Sequence, residues 1–390
     1  MAKITFVKGQ GGLNRRLPGE DHISSIIFYA TITPAGFASQ KIQEVNSLLD
    51  AEALGIVNTT GTDTDLLILH YHVSEFYRIN PGAKLFIAIY DSPVGALTFA
   101  EIETVQNFAE GKIRNMAVWC KKPFTTAQMV LIQAILNTLD TNNKPISTVL
   151  FAGDFKAIIT SALVTLRTGV VAPKVSGILA QDGAGAGAAL YVAAGYSVTA
   201  VGAILGAVSK AKVSECIGWV EKFPMNAVEL DVPAFANGDL VKNLTQTTID
   251  GVDAKGYIFL QKYESDGQVY INDSHTAVVI SNDYAYIEAN RTMDKAIRQV
   301  RKALLPKLNA PVLVDPQSGV LAPEYVTHIE QTGDSALEQM ERDGELSGFK
   351  TFVDPDQNVI STSIVEVAIV NVPIGVSRRF NVKISYATKV

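Results

Sequence analysis

Three short apolar runs, Leu85-Phe86-Ile87-Ala88-Ile89-Tyr90, Met116-Ala117-Val118-Trp119 and Thr148-Val149-Leu150-Phe151, decide how this chain reads. None alternates with polar residues. Continuous apolar runs of this length are the pattern of strands buried on both faces. Two stretches with helical spacing lie between them, residues 99–109 and 126–139. The second sets Met129, Ile132, Ile135, Leu136 and Leu139 on one side. Strand and helix alternating at this rhythm predict an α/β domain with a largely parallel sheet.

Working outward, residues 23–31 read as a further β-rich run. Residues 38–54 show helical spacing at Ile42, Val45, Leu48 and Leu49, and residues 66–77 are mixed. Residues 1–22 read as an arm, because Gly9, Gly11, Gly12 and Gly19 make it flexible and it cannot build a core. Within it Ile4 and Phe6 alternate like a short strand. Beyond Pro233 the texture becomes α+β. A hairpin signal, Glu264-Ser265-Asp266-Gly267, sits between two apolar runs. A helix is predicted over 292–308, and strands over 326–331, 348–353, 361–372 and 376–386. The expected organisation is therefore an arm at 1–22, an α/β domain at 23–235, an α+β domain at 236–375 and a terminal strand at 376–390.

The 390 residues are 47% hydrophobic and 18% charged, with net charge −6, ordinary for a folded multi-domain protein. An acidic balance argues against general nucleic-acid binding. Cys120 and Cys216, 96 positions apart, make neither a disulfide framework nor a cysteine zinc site. Residues 183–209 carry no charge and are long enough to span a bilayer, and they include Gly202-xxx-Gly206. The stretch is mostly Ala and Gly and is broken at Gly195-Tyr196-Ser197. Two short buried helices, or a loop plus one helix, are expected there, with Ser197 capping the last helix, and no stable membrane insertion.

Most candidate chemistry fails on spacing. The run 183–188, Gly-Ala-Gly-Ala-Gly-Ala, satisfies G-x-G-x-x-A, but no acid closes a following strand. A close-packed loop is expected, and a nucleotide-binding α/β enzyme using Gly183, Gly185 and Gly187 is the alternative. His70 and His72 lack a third metal ligand. Asp354-Pro355-Asp356-Gln357-Asn358 starts like a calcium loop but has Val359 and Val365 where Gly and Glu are needed. No catalytic, cofactor or metal site is predicted.

Two features point to assembly. Arg291, Lys295, Arg298 and Lys302 fall in one narrow helical arc whose one acidic i, i+4 partner is Asp294, four before Arg298, so an acidic partner surface is expected to face them. Met293, Ala296, Ile297, Val300 and Leu304 fall opposite. At the C-terminus, Phe380, Val382, Ile384 and Tyr386 alternate with polar residues, as a strand seeking a sheet edge does.

The last third resembles the contractile tail sheath proteins of phages and phage-derived injection machines, in a divergent prophage-type branch. The resemblance is carried by Gly251-Val252, residues 269–276 ending at Thr276, Asp283-Tyr284-Ala285-Tyr286-Ile287, residues 291–298 led by Arg291, and 364–372 followed by Pro373. Upstream, 202–206 and 217–219 also fit, while His275 stands where the family usually has Arg. The resemblance implies a non-enzymatic subunit that stacks as rings of six into a helical tube around an inner tail tube. Contraction would drive that tube through a target membrane. Baseplate and tail terminator proteins would be further partners. The C-terminal domain would lie near the tube and the 23–235 domain outside, with Ile4, Phe6 and the 376–390 strand pairing with neighbouring subunits. The particle would assemble in the bacterial host cytoplasm.

Overall fold

The computed structural model describes residues 19–59, 61–227, 229–264 and 266–387. It divides into two compact units, residues 1–295 and 296–390.

The first unit is built on a six-stranded sheet: β1 (Ser24–Ala30), β2 (Ile42–Val45), β3 (Leu85–Asp91), β4 (Asn115–Pro123), β5 (Thr148–Asp154) and β6 (Val175–Gly177), in the order β2-β3-β1-β4-β5-β6. All pairings are parallel except β2 with β3. Four helices lie along this part of the chain: α1 (Leu48–Ala53), α2 (Thr64–Ile79), α3 (Glu101–Phe108) and α4 (Thr126–Thr141). The predicted α/β domain and its three deciding strands are therefore present. Their apolar runs sort by period two. Ile26, Phe28, Ile87, Ile89, Ala117 and Trp119 enter one core. Ile27, Tyr29, Phe86, Ala88, Met116 and Val118 enter the other, with α3 and α4 residues.

Residues 38–54 do not form one helix. Ile42 and Val45 are the buried ends of β2, and Ser47 caps α1 by accepting from Asp50 N at 3.2 Å. The next elements are β7 (Ala180–Asp182), α5 (Ala186–Ala194) and α6 (Val201–Lys210). Residues 183–209 thus form two short helices separated at Gly195, whose φ of +78° favours glycine. Ser197 does not cap α6. Its Oγ accepts from Phe155 N and donates to Ala236 O. Gly202 and Gly206 let α6 approach α2: a Cβ on Gly202 would lie 2.2 Å from His72 O, and one on Gly206 would lie 2.9 Å from Phe76 O. This small-xxx-small pair serves a buried helix crossing. Among the described residues no helix is long and apolar enough to cross a membrane.

The boundary expected at 235/236 falls inside the first unit. After β8 (Pro233–Phe235), α7 (Gln246–Ala254) and the antiparallel hairpin β9 (Leu260–Lys262) and β10 (Val269–Ile271), residues Ile258, Leu260, Val269 and Ile271 join the same core as Phe28 and Trp119. Ile178 bridges Ile258, extending the sheet's own neighbourhood. The arm is also shorter than expected: His22 is buried, and Glu20 pairs with Arg114.

Helix α8 (Ile287–Leu304) starts five residues earlier than predicted and ends earlier. In the second unit follow α9 (Pro323–Arg342), β11 (Leu346–Val353), α10 (Val359–Thr362) and β12 (Val367–Pro373). The strand expected at 326–331 lies within α9, whose buried Ile329, Gly333, Leu337 and Met340 follow helical spacing from a Pro in the first turn. Residues 361–372 split between α10 and β12. β11 and β12 pair antiparallel, from Leu346↔Pro373 to Val353↔Val367. Leu337, Met340, Leu346 and Ala296 form one small core, and Leu321, Ile329, Val353 and Val359 another.

Candidate assembly surfaces

The basic stripe on α8 splits in two. Arg291 is 2% exposed. Its guanidinium donates to the backbone carbonyls of Lys212, Ala211 and Asp21 at 3.2, 3.1 and 3.3 Å. Lys295 pairs with Asp21 at 2.9 Å. Nearby, Asn290 donates to Pro173 O at 2.8 Å, and Asp294 pairs with Lys174 at 3.0 Å. The first turns of α8 are therefore stapled into the first unit. Arg291 cannot face a partner, because a buried guanidinium needs these carbonyls in place of water. The acidic and carbonyl partners come from remote segments, which i, i+4 spacing does not display. Further along, Arg298 is half-buried, while Arg301 and Lys302 are exposed. Ile297, expected on the inner side, is 52% exposed beside them.

The second surface is the C-terminal segment. Beyond Pro373, described residues 374–387 carry no strand, so the strand predicted at 376–386 is not formed within the chain. Phe380, Val382, Ile384 and Tyr386 are 81%, 75%, 91% and 108% exposed. Ile4 and Phe6 lie outside the described residues. Among the described residues the antiparallel pair β11–β12 has two strands only, and Phe352, Val370 and Val372 stand half-exposed on it.

The Gly183–187 loop is closed to a nucleotide by its own carboxylates. Asp182 accepts from the backbone N–H groups of Ala184, Gly185 and Gly187 at 3.1, 2.9 and 3.0 Å. Glu229 accepts from Ala186 N. A phosphate on a helix N-terminus would need these same donors. A Cβ on Gly185 would lie 2.1 Å from Glu229 Oε2 and 2.6 Å from Asp182 Oδ2, so the glycine makes room for an internal anion. Burial, with Asp182 close by, holds the Glu229 carboxyl above the usual carboxylate range. At the carboxyl ends of β1 and β4, where doubly wound sheets take ligands, Asp65 accepts from Thr31 N and from Tyr196 and pairs with Lys121.

The remaining candidates are structural. His72 is enclosed by Phe28, Tyr71 and Trp119, and burial lowers its pKa to about 3. His70 points instead to Glu52 at 3.0 Å. Burial pushes both Cys120 and Cys216 thiols up to about 12. Asp354 accepts from Asp356 N, and Asn358 from Ser361 N, which makes that segment a turn followed by a helix cap. Among the described residues no group of three or more His, Cys, Asp or Glu is placed to hold a metal ion.

Residues 1–275 match the DUF2586 N-terminal domain, and residues 283–390 match the DUF2586 C-terminal domain. The chain belongs to the DUF2586 family. No curated protein matches it. Two solved structures share the DUF2586 fold over nearly the whole chain. One is a chain of the anti-feeding prophage (AFP) baseplate, 6-fold symmetrised, with TM-score 0.61, 15% identity and 99% of both chains covered. The other is a chain of the PVC sheath complex of an extracellular contractile injection system, in the contracted state. It has TM-score 0.59, 10% identity and 100% of this chain and 98% of that chain covered. At such identities the likeness is one of fold. The boundary between the two DUF2586 matches, 275 to 283, lies just before α8, close to the division of the structure and far from residue 235.

Proposed function

We propose that this chain is a non-enzymatic structural subunit of a contractile injection machine, of the sheath type. It polymerises around an inner tube as stacked rings of six, held together by terminal strands exchanged between subunits. The observation that carries this reading is the C-terminal segment. Four large apolar side chains at alternate positions stand in solvent, with no strand partner among the described residues. An unpaired apolar strand is costly alone and stabilising once a neighbour supplies the other edge. Such a head-to-tail contact propagates instead of closing on a dimer. The full-length fold likeness to sheath and baseplate chains supports the same reading. On the tube side, the exposed Arg301 and Lys302 of α8 are the cations offered to an acidic tube surface, with Ile297 beside them.

Negative-stain microscopy of the purified full-length protein tests this directly. Long hollow tubes are expected, and their loss on deleting residues 376–390 while the monomer stays folded. Monomer under all conditions, with or without an inner tube, would refute it. The baseplate likeness favours a second reading, in which the chain forms one terminal ring of six; short six-fold discs that never lengthen would select it.

A further inference from the structure

The second unit holds an open groove of about 610 Å³ between the end of α8, the segment 308–314, α9 and α10. Ten of its fourteen lining residues are aliphatic, Val312, Ile329, Val359 and Val365 among them, and none is acidic. The polar groups of the lining are few: the Tyr325 phenol, the Lys307 ammonium, the Asn309 amide and the Ser363 hydroxyl. Lys307 lies in the turn that follows α8. Its Nζ donates to His328 Nε2 at 2.8 Å. An ammonium carries three N–H donors, so two are left after this bond. Among the described residues no carboxylate pairs with Lys307. Asn309 and Ser363 take φ of +60° and +54°, the two positive values outside glycine among the described residues of the second unit. Left-handed backbone at such positions costs energy and gathers at ligand clamps.

A concave site of roughly 300–1,000 Å³ with apolar walls and a few polar groups is the usual form of a small-molecule pocket. The walls here suit an aliphatic tail, which needs no hydrogen bonds. A peptide backbone laid on them would press its N–H and C=O groups against aliphatic carbon. The polar end sets the sign of the head group, because Lys307 offers positive charge with no acid beside it in the lining. The chain's own ends are unsuited to it. Residues 1–18 and 376–390 hold eight basic residues and no acidic one, so they bring like charge to an ammonium. We propose that this groove binds a free long-chain monocarboxylate. Its tail lies among Val312, Ile329, Val359 and Val365, its carboxylate sits on Lys307, and the Asn309 amide and Ser363 hydroxyl are further donors. A carboxylate on an ammonium at an apolar mouth makes a charge-assisted hydrogen bond, stronger than one between neutral groups. The groove lies within a single copy, so the site goes beyond the assembly reading and does not depend on it.

The test uses full-length protein and dodecanoate kept below its micelle concentration. Isothermal titration calorimetry should show saturable binding at one site. Shortening the tail should weaken binding by about three- to fourfold per methylene. Dodecylamine, with the same tail and the opposite head, should bind about tenfold more weakly or worse. Lys307→Gln should weaken dodecanoate by about tenfold and erase the difference between the two heads, while Lys307→Arg keeps it. Val312→Trp should block the groove, with circular dichroism showing that each variant is folded. Dodecanoate carrying a diazirine on its tail should label residues 304–314 or 359–367 in peptide mapping. No saturable binding of dodecanoate, equal binding of the two heads, or labelling elsewhere would overturn the proposal. A Leu/Glu amphipathic helical peptide that displaces dodecanoate with about tenfold higher affinity would overturn it in favour of a protein partner. Flotation of the protein with phosphatidylglycerol vesicles, without binding of free dodecanoate, would overturn it in favour of a membrane-held lipid.

Discussion

Replacing Arg291 by Ala should destabilise the first unit itself. The guanidinium is 2% exposed and donates to three backbone carbonyls, of Lys212, Ala211 and Asp21, at 3.1–3.3 Å. Hydrogen bonds from a charged donor contribute roughly 1.5–3 kcal/mol each, and removing one partner leaves the others buried and unsatisfied. The three are not additive, so a loss of about 4 kcal/mol is the working figure. At roughly 2–4 °C per kcal/mol for a large domain, monomer melting should drop by about 8–16 °C. Differential scanning calorimetry below the assembly concentration measures this, and Arg291→Lys should rescue only part, because one ammonium cannot reach three carbonyls in a fork. Arg291→Ala melting within about 2 °C of wild type, with assembly selectively lost, would refute the argument and return Arg291 to a partner surface.

Gly202→Ala places a Cβ 2.2 Å from His72 O, a backbone atom that cannot step aside. A loss of about 3 kcal/mol or more is expected in the same assay, and an unchanged melting point would contradict the close α2–α6 approach. Acid should weaken the first unit through His72. Burial depresses its folded pKa to about 3 while the unfolded chain takes up the proton near 6.5, so this stability is full above about pH 6.5 and is lost as pH falls toward 3. At pH 5 the loss is roughly 2 kcal/mol, His22, also lowered by burial, acts in the same sense, and His72→Phe should flatten the profile of denaturant midpoints. Arg301→Glu with Lys302→Glu should leave monomer melting within about 1 °C, since both are exposed. If the proposed inner-tube partner is right, the same variant should reduce co-sedimentation with it, and unchanged co-sedimentation would remove α8 from the proposed tube-facing surface.

The central strands were legible because burial on both faces leaves a continuous apolar run, as at 85–90 and 116–119. β2 was not, because a four-residue strand with buried ends, Ile42 and Val45, has the same i, i+3 spacing as a helix. The start of α9 looked β-like at Val326-Thr327, and only its longer rhythm through Met340 reveals the helix. The division of the chain was misplaced because the β9–β10 hairpin finds its core on strands more than a hundred residues earlier. Arg291 was misread for a related reason. Helical periodicity states which side chains share an arc, and it carries no information about carbonyls at positions 211 and 212 that come to meet one of them. The C-terminal alternation was legible as a strand pattern, yet a strand needs an edge to pair with, and no described strand pairs with residues 374–387.

The Asp182 carboxylate has a consequence for the chain's independence. In a doubly wound protein the glycine-rich turn is an empty socket, and its shape depends on the anion that a cell supplies. Here the plug is covalently attached one residue before the turn, held by the N–H groups of Ala184, Gly185 and Gly187. The loop is therefore expected to keep the same form whether or not nucleotides surround it. An architecture shared with many ligand binders has thereby become, at this one turn, independent of any anion from outside the chain.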